Sequence, residues 1–212
     1  MINAGITKIK LNRGLFNKAA QDSLRHNKVK ELAHKRAQEI SDQAKRDLVD
    51  NFTNHQVTQE IEEGPGATNS SGTIIGAAGN LFTFIGFHEG DTPISPIRQY
   101  LRDKGLVYKT SKFVKSSRKE GLYQFRVNAP ILKDIEGLTP MPWESGRSWV
   151  RGIEKGISGI GHYMYKQGVA SSRSGGGIQI QGTLGAGFKR VSYMSMLINN
   201  YLKNLKLGIV SK

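Results

Sequence analysis

The chain has no cysteine, which rules out a disulfide framework and any zinc-thiolate site and leaves packing, or neighbouring subunits, as the source of stability. Acidic residues are few: 17 Asp and Glu stand against 31 Lys and Arg, a formal charge of +14. A field of that sign favours a polyanion or an acidic protein surface as partner. Aromatic residues make up only 8% and hydrophobic residues 37%, lean for a solitary globule. Long apolar runs are missing too. None approaches the roughly 20 residues that span a bilayer, and the opening MINAGITKIKLNRG lacks the continuous apolar stretch of a signal peptide. The expectation is a protein made and kept in aqueous surroundings, with no membrane partner.

Recognisable chemistry is also scarce. The five histidines, His26, His34, His55, His88 and His162, are scattered without metal-ligand spacing. His88 stands beside Glu89 and Asp91, but next to Gly90 such polar residues are what any loop carries. Gly156-Ile157-Ser158-Gly159-Ile160-Gly161 echoes a nucleotide fingerprint, yet no buried strand leads into it and no acidic residue follows about 20 positions on. Phosphate-loop and nucleophile-elbow motifs do not occur. The reading is therefore a protein that is not an enzyme, with no catalytic, cofactor-binding or metal-binding residues.

What is present is a long helical pattern and many glycines. From Leu15 to Phe52, apolar residues recur by threes and fours without Gly or Pro, the period of an amphipathic helix. Its stripe is narrow and rich in alanine, which permits close packing. Before it, residues 1–14 read as an extended arm that docks on another component. After it, Val57 to Glu62 reads as a strand, Ala67 to Gly72 as a polar loop usually fixed by a partner, and Thr73 to Ile75 and Asn80 to Phe87 as two further strands, the last apolar on both faces. Ile97, Tyr100 and Leu101 mark a short helix. Leu106 to Lys115 and Leu122 to Asn128 form a hairpin around a basic turn, with Tyr123, Phe125 and Val127 on one face and Arg126 on the other.

Beyond Thr139-Pro140-Met141-Pro142-Trp143, a rigid linker, Ser145 is placed to cap a glycine-containing helix running through Trp149 to Met164. Gly168 to Gly177 is a loop, Ile178 to Gln181 a short strand, and Val191 to Leu205 a final amphipathic helix. The fold class read from this pattern is α+β: a long N-terminal amphipathic helix packed on a small antiparallel sheet, with a C-terminal helical extension. The expected division is an arm over 1–14, a helix-plus-sheet core domain over 15–136 and the helical extension over 137–212.

Positive charge is densest between Arg98 and Arg126. Arg98, Arg102, Lys112, Lys115, Arg118, Lys119 and Arg126 are the candidate polyanion or partner contacts, joined by Trp143 and Trp149 because aromatic anchors are favoured at interfaces, with core packing the equal alternative for both tryptophans. The loop from Gly64 to Gly79 is a further candidate contact. A basic nucleic-acid-binding protein is the alternative these charges raise, touching phosphates rather than reading bases.

The order of long helix, NHQVTQEIEEGP, polar loop and GNLFTFIGF resembles tail-completion and head-tail joining (neck) proteins of tailed bacteriophages, best over Leu15 to Phe87. PWESGRSWVRGIEKGISG, from Pro142 to Gly159, is similar to minor virion proteins of contractile-tailed phages. The resemblance implies a structural virion protein forming a homo-oligomeric ring at the head-tail junction, assembled in the host cytoplasm. Its implied partners are portal, connector, tail terminator and tail tube or sheath proteins, with non-specific contact to packaged DNA. The third of the chain from Gly137 onward is longer than a minimal member of that family needs.

Overall fold

The computed structural model describes residues 6–12, 23–75, 79–115, 121–142, 144–156 and 187–207. Expectations for the basic turn with Arg118 and Lys119, for Trp143, for residues 13–22 and for everything between 157 and 186 lie outside them. The chain divides into two compact units. One comprises Met1–Val49, Leu101–Ile131 and Ile198–Lys212, the other Asp50–Tyr100 and Leu132–Leu197. Both are assembled from segments far apart in sequence, so they cut across the serial division into arm, core and extension.

In the first unit a long helix lies on an antiparallel sheet, and the fold is α+β. Helix α1, Ser23–Thr53, buries Ala33, Ala37, Ile40, Ala44 and Leu48. Small side chains on this stripe let the helix approach its support closely. Strand β1, Ile6–Asn12, belongs to a three-stranded sheet, whose other members, as shown below, form the hairpin. That corrects the docking arm: Ile9 and Leu11 alternate with Lys8 and Lys10, a strand period, and the segment pairs within its own chain.

Short helix α2, Gln56–Glu62, opens the second unit. Here the expected strand is wrong, because Val57 and Ile61 are buried four residues apart, on one helical face. The His55 side chain caps α2 by accepting from Val57 N–H at 3.2 Å. A 3-10 turn at Gly64–Gly66 and strand β2, Ile74–Ile75, lead to α3, Leu81–Ile85. This too replaces an expected strand. Asn80 Oδ1 accepts from Thr83 N–H at 3.1 Å while Thr83 Oγ1 accepts from Asn80 N–H at 3.3 Å, a reciprocal cap that starts a helix. All five residues of α3 are buried, so a run apolar on every side is a core helix here.

Between these helices the loop is held from inside. Glu60 is fully buried, its Oε1 accepts from Leu81 N–H at 2.6 Å and its Oε2 from Ser71 N–H at 2.8 Å. Asn80 Nδ2 donates to the carbonyls of Pro65 and Ala67 at 3.0 and 2.8 Å, and Asn69 Nδ2 donates to Ile74 O at 2.8 Å. The polar loop is thus held by side chains of its own chain, Glu60, Asn69 and Asn80.

Helix α4, Ser95–Arg102, matches the predicted short helix. Strands β3, Val107–Lys115, and β4, Gly121–Asn128, give the predicted hairpin, and the sheet order is β1-β4-β3, all antiparallel. Helix α5, Leu132–Leu138, and the paired strands β5, Pro140–Met141, and β6, Glu144–Ser148, precede α6, Trp149–Lys155. Its cap is Ser148, which accepts from Arg151 N–H at 3.2 Å, not Ser145, which sits in β6. Trp149 is 1% exposed and meets Phe87 edge-to-face at 5.9 Å. It is a core residue, which corrects its assignment as an interface anchor. Strand β7, Gly187–Phe188, pairs with β2. The final predicted helix is α7, Met194–Leu207, whose first turn is capped by Glu154 Oε1, accepting from Tyr193 N–H at 3.3 Å and Ser195 N–H at 2.7 Å.

Two outcomes follow for the second unit. Glu60→Ala, which leaves the buried Leu81 N–H and the part-buried Ser71 N–H unpaired, is expected to cost about 1–3 kcal/mol for the buried group and less for the other, read as a fall in the urea midpoint. His55 is the second test. Burial holds its pKa below the ordinary 6.5, opposed by a hydrogen bond with the Ser192 backbone. Folding therefore favours the neutral ring, so its contribution is complete above pH 6.5 and declines as pH falls below that, where the unfolded chain takes up the proton first. His55→Asn keeps a capping side chain without titrating, and its stability should fall less between pH 7 and pH 5 than that of the parent protein (pH values about these, spanning the ordinary histidine range).

Candidate functional site

Within the first unit, α1 is fastened to the start of β3 by three polar side chains on successive turns. His34 Nε2 lies 3.0 Å from Val107 O, Gln38 Oε1 accepts from Val107 N–H at 3.0 Å, and Ser41 Oγ donates to Gly105 O at 2.7 Å. The His34 ring also stands edge-on to Phe125 at 5.5 Å. Gly105 itself has φ +91, a conformation that side-chain-bearing residues rarely adopt, and a Cβ there would come within 3.2 Å of Lys45 Cδ on α1. Phe125 and Val127 are fully buried beneath this junction, while Arg126 between them is exposed.

Register sets the basic residues in rows. Lys8 is opposite Arg126, and Lys10, Gln124 and Lys112 form one row across all three strands. Lys115 is opposite Gly121. Arg102 is exposed in the last turn of α4. On the helix side, Lys30, Glu31, His34 and Lys109 line a surface cavity. His34 and Lys30 were not singled out from sequence; their spacing of four on one helix face was the available signal.

Arg98 does not belong with this group. It lies in the second unit and its Nη2 donates to Glu62 Oε2 at 2.7 Å. That hydrogen bond raises the guanidinium pKa further, against a smaller opposing effect of burial. The charge is committed to an internal ion pair. Arg118, Lys119 and Trp143 lie outside the described residues. So the sequence-derived set separates: Arg102, Lys112, Lys115 and Arg126 share the first unit, Arg98 is an ion-pair member, and Trp149 is core.

Counted along the sequence, the first unit holds 22 Lys and Arg against 7 Asp and Glu, and the second 9 against 10. The whole excess of positive charge thus sits on the helix-on-sheet unit. That unit also exposes apolar side chains, Leu32 on α1 and Leu106 and Tyr108 at the start of β3. Among the described residues no group of three or more His, Asp or Glu is arranged to hold a metal ion, and no helix is long and apolar enough to cross a membrane.

Comparison with protein-family models, with curated proteins and with solved structures finds no match in any of the three.

Charge removal should separate binding from folding on this surface. Arg102→Gln with Arg126→Gln is expected to change stability by no more than about 0.5 kcal/mol, as exposed charges contribute little. The same variant should elute from heparin at lower salt than the parent. Unchanged elution would mean that these residues lie off the polyanion-attracting surface.

Proposed function

We propose that this chain is a structural subunit of a tailed-phage particle, a neck or tail-completion protein that forms a ring at the head-tail junction. The observation that supports this most is the partition of charge: a helix-on-sheet unit with a large positive excess joined to a unit close to neutral. Such a division suits a subunit that turns one part toward an acidic surface or packaged DNA and another toward uncharged neighbours. Exposed Leu32, Leu106 and Tyr108 supply apolar area for contact with another subunit. The sequence resemblance in the long helix, NHQVTQEIEEGP and GNLFTFIGF agrees with that role. Portal, connector, terminator and tail tube or sheath proteins are the partners this role requires.

The decisive experiment is mass spectrometry and electron microscopy of purified particles produced from a genome that encodes the chain. Stoichiometric presence at the junction is the expected result. Absence from intact particles, or particles that join heads to tails normally when the gene is deleted, would remove the proposal.

A second reading, a basic nucleic-acid-binding protein, is favoured by the rows of Lys8 with Arg126 and Lys10 with Lys112. Phosphate contacts release counterions, so affinity for duplex DNA should fall steeply and linearly on a log scale with salt. Salt-independent retention of DNA would exclude this mode of binding.

A further inference from the structure

The three-stranded sheet has two unlike faces. Helix α1 lies on the side of Phe125, whose ring meets His34 edge-on at 5.5 Å, and Lys109 joins His34 and Lys30 on that same side in lining a cavity. The other side is basic. Strand alternation places Arg126 there, exposed between the buried Phe125 and Val127, and register sets Lys8 opposite Arg126 and puts Lys10 and Lys112 on the two flanks of Gln124. None of β1, β3 and β4 contains Asp or Glu.

One aromatic ring stands among these cations. Val107 is buried and pairs with Val127, so Tyr108, the residue after it, falls on the Arg126 side, at the position next to Arg126 itself. Tyr108 is 43% exposed, and Leu106, two residues earlier on the same side, is 58% exposed. Charge alone suits any polyanion. The ring adds a narrower requirement, a flat group lying beside phosphates, and that is what an unstacked base offers. Bases inside a duplex are already stacked on both faces and leave only phosphates for such a surface.

We propose that this face of the sheet binds single-stranded nucleic acid, with one base stacked on Tyr108 and the neighbouring phosphates held by Arg126 and the lysine rows. The proposal rests on the reading of the chain as a nucleic-acid-binding protein and adds the class of strand and the residue that selects it. Every base has a π-face, so stacking tolerates any sequence. The site distinguishes strand state, not base identity.

The full chain is titrated by fluorescence anisotropy, at several salt concentrations, with a labelled mixed-sequence oligonucleotide of about 20 nucleotides, longer than the roughly 4–16 that one such surface covers, and with the duplex it forms with its complement. The expected result is tighter binding of the single strand, weakened about fivefold or more in Tyr108→Ala and unchanged in Tyr108→Phe, while duplex binding is the same in all three proteins. Arg126→Gln should weaken both forms and flatten the salt dependence, because a phosphate contact is lost. Unchanged single-strand affinity in Tyr108→Ala would overturn the proposal, as would a duplex bound at least as tightly as the single strand. Either result, with binding still present, leaves the broader nucleic-acid reading in place. Lack of saturable binding to both forms removes that reading together with the proposal. Circular dichroism verifies that Tyr108→Ala is folded; should it not be, Tyr108→Leu, which keeps apolar volume without a π-face, is judged by the same outcomes.

Discussion

A buried carboxylate bonded to two backbone amides organises the second unit. Glu60 accepts one backbone N–H from the loop at Ser71 and another from the first residue of α3 at Leu81. A charged group away from water is tolerable only when its oxygens are hydrogen-bonded, and here both are. The constraint runs the other way as well. Because the carboxylate must find these two amides, the glycine- and serine-rich stretch between α2 and α3 is pinned at its middle and at its junction with α3. Asn80 completes the arrangement by bonding backward to Pro65 and Ala67 while it starts α3. Phe82, Phe84 and Phe87 can then pack in fixed positions, against one another, Phe188 and Trp149.

The first unit is joined differently. Its helix buries mostly alanine, and small side chains supply little hydrophobic area, so specificity comes from His34, Gln38 and Ser41 bonding to the backbone at Gly105 and Val107. Such bonds fix one register of helix against sheet. They also leave the long charged side chains of α1 on its other faces, which is how one unit comes to hold the whole positive excess without burying it.

Elements with a clean period were legible from sequence. The stripe of α1, the alternation around Phe125 and Val127, the short α4 and the final α7 all stand where periodicity put them. The failures have physical causes. Val57 to Glu62 and Leu81 to Ile85 are too short for period to tell helix from strand, and GNLFTFIGF is apolar on every face. The cue that decides α3, Asn80 followed three residues later by Thr83, was present but is weaker than a Ser or Thr with Glu. Ser148 rather than Ser145 caps α6 because β6 runs on through the earlier residue and the helix starts only at Trp149. Trp149, which lies in the core against Phe87, was open to both readings because no sequence signal separates an anchor from a packing residue. The contacts of Glu60 and Glu154 span 21 and up to 41 residues, and no local pattern announces them.

The hold that α1 takes on Val107 has a consequence for growth of the sheet. A strand from another chain that paired with β3 at Val107 would need the outward amide and carbonyl there, and both already belong to Gln38 and His34. Leu106 and Tyr108, exposed on either side of that residue, are thus open to a neighbour's side chains but closed to its backbone. At this corner the protein presents apolar side chains while the backbone of Val107 is already engaged, which blocks strand addition at that residue.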